Sequence, residues 1–122
     1  MSDVSHVSAA TRMEARREVA MLPRLLKAGE LVIDVCHGTT DGRPAVMVVT
    51  DSRVLYMQRR RFWGADVESM PLARIRSAED HMGVRHATVV IDAGGRVLEV
   101  GDVDRALAQM FCARLRAQLA SK

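Results

Sequence analysis

The sequence predicts a mainly β protein of the α+β class: seven short antiparallel strands bent into a small barrel, a C-terminal helix that caps it, and an extra N-terminal helical segment. Three observations support this prediction. Apolar residues alternate with period 2 between residues 31 and 101, turn residues recur about every ten positions, and the period changes to 3.6 after residue 102. A chain of 122 residues is long enough to bury one core without disulfides.

The N-terminal region divides into a tail and a helical segment. Residues 1–10 are small, polar and unpatterned, which is typical of a flexible tail. Thr11 followed by Glu14 is a capping-box signature, and residues 11–28 are therefore expected to be helical. The barrel domain is then expected over residues 29–120.

Pro23 is predicted to interrupt this helical segment after Leu22. Its ring would clash with the carbonyl of Val19, so the proline suits the first position of a second short helix that Gly29 closes. The apolar side of the segment is expected either to cap its own barrel or to make a homo-oligomeric contact.

The seven strands are predicted from β-branched runs bounded by turn residues. Asp41-Gly42 and Gly94-Gly95 are strong hairpin signals, because both turn positions tolerate a positive φ. The strand at 73–81 is expected to point Ile75 inward. The predicted strands are 31–38, 44–50, 53–59, 61–69, 73–81, 84–92 and 96–102.

The last segment, 103–120, has the period of an amphipathic helix that Asp102 is expected to cap. Its predicted apolar face contains Val103, Leu107, Met110, Phe111, Leu115 and Leu119. We expect Leu107, Phe111 and Leu115 to plug the barrel. Because aromatic residues are scarce, the methionines are expected to fill gaps in the core, at positions 13, 21, 47, 57, 70, 82 and 110.

Several function classes are not indicated by the sequence. It has no nucleophile elbow, phosphate-binding loop or dinucleotide fingerprint, and its histidines lack metal-ligand spacing. We therefore expect a non-enzymatic protein without cofactor or metal. Cys36 and Cys112 lie in apolar surroundings, which favours buried, reduced thiols in a cytoplasmic protein. No apolar run suggests a signal peptide or a membrane span.

The chain resembles the bacterial pleckstrin-homology-like domains of the YokE-like group over about residues 22–120. The similarity lies in "LLKAGELVIDV", "VMVVTDSRVLYM" and "VESMPLARIRSAED", followed by a glycine-centred hairpin and a helix. The matching motifs are Gly29-Glu30, Thr50-Asp51-Ser52-Arg53, and Met70-Pro71-Leu72 with Ile75. The resemblance implies a PH-like barrel and no enzymatic activity. Eukaryotic relatives bind phosphoinositides through Lys and Arg spaced in the first hairpin, whereas this hairpin has only Arg43.

Two short stretches are candidates for chemistry or recognition. The turn Thr50–Arg53 is interpreted as structural, with Asp51 accepting backbone N–H groups of the turn and Arg53 pairing with it or bracing a neighbouring loop. The stretch "QRRRFWG", residues 58–64, places three arginines before Phe62 and Trp63. The candidate binding residues are Arg43, Arg59, Arg60, Arg61, Phe62 and Trp63.

Three interpretations of this basic stretch remain open: a solvated turn, a protein-binding patch, or a site for anionic lipid or nucleic acid. A net charge of +3 is too modest to indicate nucleic acid by itself. We expect Phe62 or Trp63 to be buried against the barrel mouth. The predicted function is an interaction module that binds a protein partner or self-associates; the alternative is a peripheral binder of anionic lipid or another polyanion.

Overall fold

The computed structural model describes residues 16–60, 62 and 64–121. The predicted tail at 1–10 and the predicted capping box lie outside this range. The helices are α1 (Arg16–Leu25), a 3-10 turn (Leu72–Arg74) and α2 (Arg105–Ala120). The strands are β1 (Val32–Thr40), β2 (Arg43–Thr50), β3 (Arg53–Arg59), β4 (Ala65–Pro71), β5 (Ser77–Met82), β6 (His86–Asp92) and β7 (Val97–Asp104).

The seven strands form one antiparallel sheet in the order β4-β3-β2-β1-β7-β6-β5, which confirms the predicted fold class. The two hairpin signals are also confirmed. Asp41 and Gly42 have φ values of 54° and 74°, and Gly94 and Gly95 have φ values of 64° and 100°. Positive φ at both turn positions allows a tight turn whose twist matches that of the flanking strands.

The sheet is weakest where β1 meets β7. The ladder between these strands has a single residue pair, Thr39 with Gly101, whereas β1 and β2 pair along almost their whole length. The backbones come close here because both strands have a glycine. A Cβ built on Gly38 would overlap the carbonyl oxygen of Gly101 and lie 2.9 Å from a methyl group of Val100. We call this contact the β1–β7 junction.

Helix α2 fills the inside of the curved sheet. Phe111 and Leu115 are fully buried, as predicted, together with Ala108 and Cys112, while Leu107 is only partly buried. Met110 was predicted on this face, but its side chain is 51% exposed. The buried positions 108, 111, 112 and 115 follow the i, i+3, i+4, i+7 pattern of a single helix face, and residue 110 lies outside it.

The cap of α2 also differs from the prediction. Strand β7 continues to Asp104, and the carboxylate of Asp104 accepts a hydrogen bond from the Leu107 amide at 3.0 Å. Asp102, the predicted cap, lies within β7 with a φ of 53°. The helix therefore begins two residues later than the sequence pattern indicated.

Arginines on α2 connect the helix to the sheet. Arg114 lies 3.4 Å from the buried carboxylate of Asp34 on β1. Arg116 donates to the carbonyl of Ala78 at 2.9 Å and pairs with Asp80 at 3.2 Å. Both contacts to β5 lie at the edge of the sheet, where a charged side chain covers part of an otherwise open strand.

Two strands begin four residues later than predicted. Strand β4 begins at Ala65 rather than 61, and β5 begins at Ser77 rather than 73. The residues before β5 form the 3-10 turn, in which the Ile75 amide donates to the Leu72 carbonyl at 3.1 Å. This turn places Leu72 and Ile75 in the core, so the inward position predicted for Ile75 is confirmed.

The buried sulfur-containing residues agree with the prediction only in part. Met47, Met57 and Met70 are buried, but Met82, like Met110, is substantially exposed. Cys36 and Cys112 are free and buried, as predicted. Burial raises the pKa of the Cys112 thiol to about 11 and raises that of Cys36 well above its usual value.

A second apolar cluster lies on the outer face of β1, β2 and β3. Its side chains alternate with those of the inner core, as successive strand residues point to opposite faces. Leu22 of α1 is buried against it, and Val19, Leu25 and Leu26 pack at its margin. The outer-face cluster consists of Val32, Val35, Val46, Val48, Leu55 and Met57. Helix α1 therefore covers a sheet face of its own chain.

Pro23 lies inside α1, so the predicted interruption after Leu22 was wrong. The helix ends at Leu25, two residues after the proline. Proline has no backbone N–H, so one backbone hydrogen bond is missing, in the last turn of the helix. Burial of Leu22, with Leu25 packed at the margin of the same cluster, favours helix on both sides of the proline.

A buried ion pair fixes the end of α1 to the sheet. Arg53 donates to both carboxylate oxygens of Glu30 at 2.9 Å and to the carbonyl of Leu25 at 2.6 Å. Thr50 and Ser52 donate to the same carboxylate at 2.7 and 2.8 Å. The structural interpretation of the Thr50–Arg53 turn is thus supported by its contacts.

The side chain that closes this turn is not the one predicted. The hydroxyl of Thr50 accepts the amides of Ser52 and Arg53 at 3.1 and 3.0 Å. The Asp51 carboxylate instead accepts the Leu31 amide at 3.1 Å. Asp51 therefore joins the turn to the entry of β1, and Arg53 braces the neighbouring loop.

The Glu30 network predicts a pH dependence of stability. Burial alone would raise the pKa of Glu30, but hydrogen bonds from Arg53, Lys27, Thr50 and Ser52 lower it from 4.5 to about 2. A carboxylate whose pKa is lower in the folded state stabilises the fold above its unfolded pKa. We therefore expect the free energy of unfolding to lose about 3 kcal/mol as the pH falls from about 4.5 to about 2.

Urea unfolding across this pH range measures the effect, with Glu30→Gln as the control. The variant lacks the titrating carboxylate, so its stability should decline less steeply over the same range. Parallel curves for the two proteins would contradict the role assigned to Glu30.

Candidate functional site

Two turns bring the predicted basic residues to one end of the sheet. The β1–β2 turn and the β3–β4 connection lie side by side, because β2 and β3 are adjacent and antiparallel. Thr40 pairs with Arg43 across the first turn, and Arg59 pairs with Ala65 across the second. We call this surface, with Arg43, Arg59, Arg60 and Phe62, the loop end. The candidates Arg61 and Trp63 lie outside the described residues.

Carboxylates offset part of the positive charge of the loop end. Arg60 forms an exposed ion pair with Asp66 at 2.9 Å. Arg96, on the hairpin that packs against this end, binds Glu68 through two bonds of 2.6 and 2.7 Å. The hydrogen bond from Arg96 lowers the pKa of Glu68, which keeps this carboxylate ionised. The loop end is therefore a mixed-charge surface.

The sequence interpretation missed Arg96, Asp66 and Glu68 as parts of this surface. The alternation of β4 does indicate that Asp66 and Glu68 share one face of the strand. Their arginine partners, however, are 6 and 28 residues away in sequence. The strand order separates β4 from β6 and β7, and only the Arg96–Glu68 contact shows that the β6–β7 hairpin reaches β4.

Phe62 is the most prominent apolar group of the loop end. Its side chain is 84% exposed, so this residue does not supply the buried aromatic that was expected at the barrel mouth. The other half of that expectation concerns Trp63, outside the described residues. Phe62 is therefore not part of the inner core.

A small polar cavity separates the β1–β2 turn from β7. Its volume is about 190 Å³, below the range of about 300–1,000 Å³ typical of ligand pockets. Thr40 and Tyr56 donate to the Glu99 carbonyl at 2.6 and 3.3 Å, and Gln58 donates to the Thr40 carbonyl at 2.9 Å. These polar groups already have hydrogen-bond partners within the protein. Their bonds hold the β1–β2 turn against β7.

The described residues contain neither a cluster of metal ligands nor a helix that could span a membrane. Across residues 16–60, 62 and 64–121, no three His, Cys, Asp or Glu side chains converge as metal ligands. His81 contacts Glu79 at 2.9 Å on the exposed surface. Within the same ranges, neither helix has the length and apolar character needed to cross a bilayer.

The sequence model of the family described as bacterial PH domain matches residues 26–117. The chain belongs to the bacterial PH domain family. PH domains and their fold are generally non-catalytic. The match begins at residue 26, directly after α1.

Solved PH domains have the same fold. A PH domain from Shewanella amazonensis SB2B aligns with a TM-score of 0.57 and 17% identity, covering 83% of this chain and 96% of that one. The PH domain of USP37 aligns with a TM-score of 0.56 and 14% identity, covering 72% of this chain and 98% of that one. No curated protein sequence matches the chain significantly. At these identities the likeness concerns the fold alone.

Proposed function

We propose that this PH domain is a non-enzymatic cytoplasmic module that binds a protein partner through the loop end. The observation that carries the proposal is the 84% exposure of Phe62 beside arginines whose charge is partly offset. Exposed aromatic and arginine side chains are frequent energetic centres of protein interfaces. By its Gly29-Glu30 and Thr50–Arg53 motifs, we assign the domain to the YokE-like group.

Charge supports a protein partner over a polyanion. Each cationic side chain near an anionic membrane contributes about 1 kcal/mol, so even three unpaired arginines give about 3 kcal/mol. This is weaker than millimolar affinity, which needs about 4 kcal/mol. Arg60 is paired with Asp66, and the first hairpin contributes only Arg43.

Anionic lipid is the second candidate, and the exposure of Phe62 favours it. An apolar ring beside Arg59 and Arg60 could insert at a membrane interface while the arginines contact headgroups. The ring would then have to supply most of the binding energy. Binding to lipid should therefore depend on Phe62 at least as strongly as on the arginines.

Photo-crosslinking tests the proposal. A benzophenone amino acid at position 62, used in the cell that makes the protein, should give discrete protein adducts. The matched control is position 84, in the β5–β6 turn, because Val84 is 94% exposed but remote in sequence from the loop end. Adducts of two copies would indicate self-association. Identical patterns at both positions, or none at 62, would contradict a partner at the loop end.

Vesicle co-sedimentation separates the lipid alternative. Binding to anionic vesicles should be negligible at physiological salt if the partner is a protein. Trp63, the sole tryptophan, offers a second readout. A blue shift of its emission with anionic vesicles that high salt reverses would favour the lipid binder instead.

A further inference from the structure

Strand β5 has an open edge. It is the last strand in the sheet order and pairs with β6 on one side, whereas no strand of the described chain pairs with its other side. The unpaired backbone N–H and C=O groups of an edge strand form a template that another extended chain can bind. The chemistry of this edge therefore selects the backbone of a further strand.

The register of the β5–β6 hairpin shows which backbone groups face the open edge. The Gly83 amide donates to the His86 carbonyl at 2.8 Å, and the pairing then continues without a shift along β5. Residues of an antiparallel strand bond alternately to its two sides, so the odd-numbered residues of β5 bond to β6 and the even-numbered ones face the edge. The bond from Arg116 to the Ala78 carbonyl agrees with this assignment.

Arg116 covers only the first of the edge positions. Besides the Ala78 carbonyl, it contacts the side chain of Asp80 and not its backbone. Within the described residues, the backbone of Asp80 and of Met82 makes no bond beyond those of the β5–β6 ladder. The Met82 side chain is 38% exposed, so this part of the edge is accessible.

A cavity lies beside the start of β5, between this strand and the end of α2. Its volume is about 380 Å³, within the range of about 300–1,000 Å³ typical of ligand pockets. It gives side chains of an added strand a place to enter next to the open backbone. Its lining consists of Arg76, Ser77, Ala78, Glu79, Arg116 and Leu119.

Arg76 is the cation of this cavity that is available to a ligand. Glu79 contacts His81 at 2.9 Å, and Arg116 pairs with Asp80 at 3.2 Å. Arg76 takes part in none of the ion pairs found among the described residues. A guanidinium can bind a carboxylate through two parallel hydrogen bonds, so an acidic side chain is the matching ligand group.

We propose that the β5 edge binds an extended segment of a partner protein, which adds to the sheet as a further strand and places an acidic side chain at Arg76. The backbone of the segment bonds to Asp80 and Met82. From Arg76 to Met82 the strand extends about 20 Å, so the segment needs about seven residues. In this mode main-chain bonds give affinity and side-chain pockets give specificity. The site shares no residue with the loop end and does not rest on the function proposed for it.

Selection from a phage-displayed library of random linear peptides tests the proposal. The parent protein should enrich peptides that contain an acidic residue, and a labelled synthetic copy should bind in fluorescence polarisation. Met82→Pro removes an N–H that faces the edge but keeps the bonds to β6, since proline is tolerated at such positions. It should weaken binding at least about tenfold, and Met82→Ala, which keeps the N–H, clearly less. Equal affinities of the two variants, or no peptide whose binding depends on this edge, would overturn the proposal.

The acidic contact has its own matched pair of variants. Arg76→Ala should weaken binding of the selected peptide about threefold to fivefold, the size expected for an exposed ion pair. Arg74 is also exposed but lies in the 3-10 turn, outside the cavity lining, so Arg74→Ala should leave the affinity unchanged. The same affinity for both variants would rule out the contact with Arg76.

Hydrogen exchange of the parent protein gives the decision if Met82→Pro fails to fold. The amides of Asp80 and Met82 should exchange rapidly in the free protein and become protected when the peptide binds. Those of Glu79 and His81 should be protected already, because they face β6. Protection by the peptide at other sites alone would refute strand addition. A dimer in light scattering that the peptide dissociates would assign the edge to a second copy and overturn the partner proposed.

Discussion

Replacing Gly38 with alanine is expected to lower the free energy of unfolding by about 3 kcal/mol or more. The added methyl group would overlap the carbonyl oxygen of Gly101 and crowd side chains of Val100 and Val103. A backbone oxygen cannot rotate away, so the strands must separate at the β1–β7 junction. Separation there would break the one ladder pair between β1 and β7 and strain the bond from Thr40 to the Glu99 carbonyl.

Gly101→Ala is the matched control at the same junction. A Cβ at this position would lie 3.3 Å from the Thr39 carbonyl oxygen, so a small adjustment is enough. We expect a markedly smaller loss of stability than for Gly38→Ala in urea unfolding followed by far-UV circular dichroism. Equal losses for the two variants, or a loss below about 0.5 kcal/mol for Gly38→Ala, would show that the junction tolerates a wider spacing.

The sequence predicted the sheet well because the strands alternate and their turns have strong local signals. Asp41-Gly42 and Gly94-Gly95 specify positive φ without help from the rest of the fold. The errors arose where tertiary contacts decide. Pro23 is tolerated in α1 because Leu22 is buried on the sheet, and β7 extends past Asp102 because it pairs with β6 as far as Asp104.

The candidate site was predictable in position but not in charge. Hairpin topology alone places Arg43 and Arg59 at the same end of the sheet. The pairing of Arg96 with Glu68 depends on two residues 28 positions apart, which no local pattern brings together. Among the described residues of the basic run, Arg60 is paired with Asp66, and the run itself does not indicate this partner.

The same local reasoning missed the outer-face cluster. Strands β1, β2 and β3 have long apolar runs, which is typical of strands covered on both faces. Val46 to Val49 form such a run, and all four side chains are buried. Such a run indicates that both faces of the sheet are covered. Helix α1 covers the outer face through Leu22.

Phe111→Ala is expected to cost about 3–5 kcal/mol of unfolding free energy. Phe111 is the largest of the fully buried side chains. It lies in the middle of the face of α2 that packs on the sheet. Its removal leaves a cavity between the helix and the strands. The neighbouring arginine contacts, Arg114 with Asp34 and Arg116 with Asp80, hold α2 in place and limit the collapse of this cavity.

The adjacent residue provides the control for this prediction. Met110 is 51% exposed, so Met110→Ala should change the free energy of unfolding by no more than about 0.5 kcal/mol. Both variants place alanine, a good helix former, in the same turn of α2, so a difference between them reports burial and not helix propensity. Urea unfolding of the two variants beside the parent protein measures that difference. Losses of similar size would mean that Phe111 contributes no more to the core than an exposed neighbour, and that α2 does not plug the barrel through this ring.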